Sequence, residues 1–130
     1  MVKILDCCVL KFYDNYVISV VNHGVTISSQ LSHRISEIVL EHYKTKPFVY
    51  IANRINSYTV DPDVYSKISE IETLVGFVVV SDSKSTIKTA LLEKIFFNKS
   101  FQIFNNLDDA ILWANNTRNM SQNIKSTKKR

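Results

Sequence analysis

Phe48-Val49-Tyr50-Ile51-Ala52-Asn53-Arg54-Ile55-Asn56-Ser57-Tyr58-Thr59-Val60-Asp61-Pro62 is the stretch on which the fold turns. Phe48 to Ala52 is an unbroken apolar run, the pattern of a strand buried on both faces. Asn53 to Val60 reads as a polar loop. Asp61-Pro62 then joins an N-capping acid to a proline suited to a first helical turn. Val64, Tyr65, Ile68 and Ile71 follow at helical spacing. A buried strand, a polar crossover and an amphipathic helix make half of a βαβ unit, so a parallel sheet is expected where the unit repeats.

It repeats on both sides. Downstream, Gly76 to Val80 is a second buried strand, and Ser81 to Ser85 opens a helix with Ile87, Leu91, Leu92, Ile95 and Phe96 expected inward. Phe101 to Phe104 is the last strand. Asn106 can cap a final helix, with Asp108 and Asp109 suited to its dipole, Ala110, Ile111 and Ala114 on its inner side and Trp113 at the flank. Upstream, Thr26 to Ser29 is polar enough to start a helix on which Leu31, Ile35, Ile38, Val39 and Tyr43 share a face, with Pro47 beyond its end. Before it, Ile4 to Phe12 and Tyr16 to Val21 flank Asp14-Asn15 and read as a hairpin. The expected fold is α/β, a five-stranded mixed, mostly parallel sheet with helices packed on its faces, in the order ββαβαβαβα. Its expected core includes Ile51, Phe77, Val79 and Leu91.

Composition agrees. Hydrophobic residues make up 45% and charged residues 22% of the 130, close to the globular average, and two Gly and two Pro are too few for a turn-dense sandwich or barrel. The formal charge of +4 is unevenly spread. Arg118, Lys125, Lys128, Lys129 and Arg130 lie in the last 14 residues with no acid among them, which leaves 11 bases and 12 acids in residues 1 to 116. Residues 1 to 116 therefore read as one domain and 117 to 130 as a basic, weakly ordered tail. A near-neutral body does not present the basic face of a specific nucleic-acid binder. The adjacent Cys7 and Cys8 suit free thiols in a reducing compartment. No apolar run approaches the roughly 20 residues that span a bilayer, and Lys3 and Asp6 interrupt the start too early for a secretory signal. A cytoplasmic location without membrane association is expected.

The order of elements, together with Phe48 to Pro62, Val75-Gly76-Phe77-Val78-Val79-Val80-Ser81 and Phe101-Gln102-Ile103-Phe104-Asn105-Asn106-Leu107-Asp108-Asp109-Ala110-Ile111-Leu112-Trp113, resembles the SpoIIAA-like, or STAS-like, domain over about residues 1 to 116. The resemblance implies a non-enzymatic module that binds another protein, with no cofactor and no metal. In well-known members a Ser or Thr at the start of the helix after a central strand is phosphorylated within an Asp-Ser motif. Here the matching region carries no Asp-Ser pair, and Ser57 and Thr59 are its hydroxyls apart from Tyr58.

The candidate partner or ligand surface is therefore Asn53, Arg54, Asn56, Ser57, Tyr58 and Thr59, at the carboxyl end of a buried strand where open α/β sheets bind ligands, together with Asp82 and Ser83 at the next such end. Ser57 and Thr59 are the candidate phosphorylation sites, with Arg54 beside them as an anchor for phosphate. A plain crossover loop and plain N-capping account for the same residues. The alternative to protein binding is a small-molecule binder or minor enzyme using the pocket near Arg54 and Asp82. His33, Glu37 and Glu41 share a helix face at i, i+4, i+8, a spacing that suits a solvated stripe better than a metal site because His42 and His23 lie away from that face.

Overall fold

The computed structural model describes the backbone of residues 1–128 and the side chains of residues 1–117. Eight strands and four helices follow in chain order: β1 Val2–Ile4, β2 Cys8–Phe12, β3 Tyr16–Val21, β4 Thr26–Ile27, α1 Ser29–Tyr43, β5 Phe48–Asn53, β6 Thr59–Val60, α2 Asp63–Ile68, β7 Leu74–Val80, α3 Lys84–Glu93, β8 Ser100–Phe104 and α4 Leu107–Lys128. A 3₁₀ turn, Lys94–Phe96, extends α3. The main sheet runs β1-β2-β3-β5-β7-β8. Its first three strands are antiparallel, and β3, β5, β7 and β8 are parallel neighbours.

The mixed sheet has six strands where five were expected. The run from Ile4 to Phe12 does not stay extended. Leu5 N–H donates to the Cys8 carbonyl at 2.8 Å, turning the chain at Asp6 so that Ile4 comes opposite Val9 and the run folds into β1 and β2. The crossover after β5 also carries structure, because its last two residues form β6 and pair in parallel with β4, Thr26 opposite Thr59. Helix α2 starts at Asp63, slightly later than Asp61-Pro62 suggested, and Asp61 Oδ1 accepts from Asp63 N–H at 3.1 Å across Pro62.

Three of the four helices begin at a side-chain cap. Ser28 accepts from Leu31 N–H, Ser83 from Thr86 N–H, and Asn106 from Asp109 N–H at 2.9 Å, while the Asn106 amide donates back to Asp109. Helix α1 ends before Pro47, at Lys44, which takes φ +57° and donates its N–H to the Leu40 carbonyl. The backbone of α4 continues through the start of the expected basic tail to Lys128, and the side chains beyond residue 117 lie outside the described residues.

Two cores flank the sheet. On one face Ile35, Val39 and Tyr43 of α1, Val64 and Tyr65 of α2, and Ala90 of α3 pack on Leu10, Phe48, Phe77, Val79 and Phe101. On the other face Ala110 and Ala114 of α4 pack on Ile18, Val49, Ile51, Val78 and Val80. Gly76 makes room for the Trp113 ring, because a Cβ at that position would sit 2.8 Å from it and the ring would have to shift.

Ile51, Phe77 and Val79 are buried as expected, but Leu91 is not. Helix α3 presents the opposite side to the one its hydrophobicity suggests. Ala90 and Glu93 face inward, whereas Leu91, Leu92 and Ile95 are 54%, 63% and 74% exposed and Phe96 is 43% exposed. Ile87 alone of the expected inward set is half-buried.

Candidate functional site

That orientation brings a buried ion pair together. Arg54 follows β5 directly, and its side chain is only 4% exposed. Nη1 donates to Glu93 Oε1 at 2.6 Å, Nη2 to the Tyr65 hydroxyl at 2.9 Å and Nε to the Tyr58 hydroxyl at 3.2 Å. The Tyr65 hydroxyl in turn donates to Glu93 Oε2 at 2.9 Å. A buried charge is tolerated only when paired and hydrogen-bonded, and the turn of α3 brings Glu93 to the guanidinium. Burial opposes the Arg54 charge, yet the surrounding Tyr58 and Tyr65 hydroxyls and the Glu93 carboxylate hold its proton more firmly than usual. Burial likewise pushes the Tyr65 phenol well above its ordinary range, against the pull of Arg54.

This arrangement corrects the expectation that Arg54 stands free to hold a phosphate at Ser57 or Thr59, since its guanidinium is committed inside the domain. Ser57 and Thr59 are both exposed. The Ser57 carbonyl accepts from Gly24 N–H at 2.8 Å, and Thr59 lies in β6. Asn56 donates its amide to the Val21 carbonyl at 3.0 Å, tying the loop to the end of β3.

Six of the eight candidate residues come together. Asn53, Arg54, Asn56, Ser57, Asp82 and Ser83 line an open pocket of about 430 Å³ at the carboxyl ends of β5 and β7, closed on its far side by Asn105 and Asn106. Tyr58 and Thr59 are not part of it. Tyr58 belongs instead to an apolar cleft between α1 and α2, lined also by Tyr65 and by Arg54, which the two pockets share. Sequence reading found neither this cleft nor Glu93. A single acid within Ala90 to Phe97, otherwise apolar but for Lys94, was the available signal for the latter.

Other chemistry is quiet. Cys8 is fully buried and its thiol is pushed up to about 12, first by burial and then by the neighbouring Cys7, so it is no nucleophile near neutral pH. Both thiols are unpaired. His33 Nε2 and Glu37 form an exposed contact at 3.3 Å on α1. Among the described residues no group of three or more His, Cys, Asp or Glu is placed to hold a metal ion, and no helix is long and apolar enough to cross a membrane.

No protein-family model matches the chain, and no curated protein matches it. Among solved structures it is similar to an uncharacterised protein of the DUF3478 family, with a SpoIIAA-like fold, from Shewanella loihica PV-4. The two share 13% sequence identity and superpose with a TM-score of 0.61 over 88% of this chain and 98% of the other. At that identity the likeness shows the fold, and the fold is SpoIIAA-like.

Proposed function

We propose that this chain is a non-enzymatic, cytoplasmic protein-binding domain that docks a partner on the outward face of α3 and the adjoining 3₁₀ turn. The observation that carries this reading is the exposure of Leu91, Leu92, Ile95 and Phe96 on one short segment. Soluble domains rarely leave a contiguous apolar patch open unless something covers it. The exposed charges on the segment itself are of one sign. Lys84, Lys88 and Lys94 are exposed on the same segment, while its one acid, Glu93, is buried against Arg54. Lys84, Lys88, Leu91, Leu92 and Ile95 follow one another at i, i+4, i+7, i+8 and i+11 and so form one face, basic at its start and apolar at its end. The complementary partner is a protein segment with apolar anchors followed by acidic residues. The exposed Ile55 and the hydroxyls of Ser57 and Thr59 lie on the strand-end loop that Arg54 joins to this helix, which is where phosphate would alter the surface. The unpaired Cys7 and Cys8 support the reducing compartment.

The test is affinity capture from the source cells with the wild type, Leu92→Asp/Ile95→Asp, and Leu112→Asp on the opposite side of the sheet, each verified as folded by circular dichroism. Proteins retained by the wild type and by Leu112→Asp, lost from the α3 variant and eluted by salt support the reading. Identical recovery by all three refutes it. A second reading, a small-molecule binder or minor enzyme, is favoured by the pocket of about 430 Å³ that gathers six polar candidate residues at the strand ends.

A further inference from the structure

We propose that the cleft between α1 and α2 is a binding site for a small, neutral, largely apolar molecule carrying one hydrogen-bonding group. This goes beyond the docking reading and rests on a different part of the molecule. The cleft encloses about 70 Å³ in the larger core. Protein cores leave few voids larger than one water, and a water needs about 10–15 Å³ on this measure, so the space is several waters in size. Its walls are Ile35, Val39, Val64, Leu74 and Phe77, with Tyr50 and Ala52 of β5 beneath. Water is held poorly by such a lining, and apolar cavities of modest size take up benzene-like molecules.

The entrance and the polar lining follow from the residues present. Ser32, Ser36, Leu40, Val60 and Ile68 line the cleft and are half-buried, which places its mouth between the two helices. Its polar lining includes Arg54 and Tyr65, which are buried, and Tyr58, which is half-buried. These groups favour a ligand with a hydroxyl or carbonyl. They do not favour a carboxylate. Glu93 already balances Arg54, so a second anion would enter an apolar space without a counter-charge of its own, and such burial is strongly unfavourable. A six-membered ring with a single hydroxyl has the required polarity, and because the cleft is open between the helices the ring need not lie wholly within its 70 Å³.

The experiment titrates the full chain with benzene, phenol and benzoate, following the methyl resonances of Val39, Ala52 and Val64 by NMR. Phenol is expected to give saturable shifts at these methyls and to bind more tightly than benzene, with benzoate weaker than phenol by at least about tenfold. Ala52→Ile fills the cleft and is expected to abolish the shifts. Should that variant fail to fold, Ser36→Phe plugs the mouth from a half-buried position and replaces it. The absence of saturable shifts with every probe, or shifts that survive a filling variant, overturns the site. Benzoate binding as tightly as phenol overturns the neutral ligand class.

Discussion

Removing the Glu93 carboxylate is the sharpest test of how this domain holds its strand ends to α3. Arg54 and Glu93 side chains are 4% and 7% exposed, with 2.6 Å between Nη1 and Oε1. At an effective dielectric constant of about 20, opposite charges at that distance attract by roughly 6 kcal/mol. Desolvating the two ions costs several kcal/mol each, so the intact pair contributes little net stability. Taking away one partner is different, because the other stays buried and uncompensated. Glu93→Leu and Arg54→Met should each cost about 3–5 kcal/mol. The double variant removes both charges and leaves chiefly the Tyr65 hydroxyl without partners, a penalty of about 1–3 kcal/mol. The expected coupling energy is therefore at least about 3 kcal/mol, read from urea unfolding of the four proteins. If a single variant is too unstable to fold, the double should fold in its place. Singles that cost under about 1 kcal/mol and add in the double would refute the reasoning, since the pair would then behave as a solvated surface contact.

Leu91→Ser should change stability by no more than about 0.5 kcal/mol in denaturant unfolding, as expected of a residue more than half exposed; a loss of several kcal/mol would mean that α3 is turned inward. Gly76→Ala should cost about 1–3 kcal/mol by driving a Cβ into Trp113, and because the chain has one tryptophan its emission should shift as the ring moves. Stability should fall at alkaline pH. The Cys8 thiol releases its proton near 9 when unfolded but only near 12 when folded, so between those values the unfolded state binds fewer protons and stability declines as pH rises. Its contribution is at most about 1.4 kcal/mol per pH unit, and Cys8→Ala should flatten the decline. Lys44→Gly should stabilise by about 0.5–1 kcal/mol, measured as a raised melting temperature, because Lys44 takes a positive φ that glycine adopts freely.

The strands of the parallel half were legible because each is a short apolar run bounded by polar crossovers, and Phe48 to Ala52 and Gly76 to Val80 appear in the sheet nearly as read. The N-terminal hairpin was less so. Asp6 is the one acid between Ile4 and Phe12, too weak a break to announce that the run folds back and adds a strand. The strand-end residues converge for a topological reason, since parallel strands put their carboxyl ends, and the loops that follow them, at one end of the sheet. The Arg54–Glu93 pair joins positions 39 apart, and no local pattern can report such a contact. With it went the orientation of α3, which periodicity alone assigns to the wrong side.

That orientation is hard to explain from the stability of the isolated domain. Burying a Leu, Ile or Phe contributes about 1.5–3 kcal/mol, so leaving Leu91, Leu92, Ile95 and Phe96 largely open forgoes several kcal/mol. What the inward side offers in exchange is Ala90 and a buried ion pair, and pairs of that kind are often matched or exceeded by apolar residues of similar volume. A helix evolved for folding alone would bury its leucines and solvate its glutamate. The reversed choice makes energetic sense when the exposed leucines, isoleucine and phenylalanine are buried elsewhere, against a second surface. The lysines along the same face then supply orientation and encounter rate, with the apolar residues supplying most of the affinity.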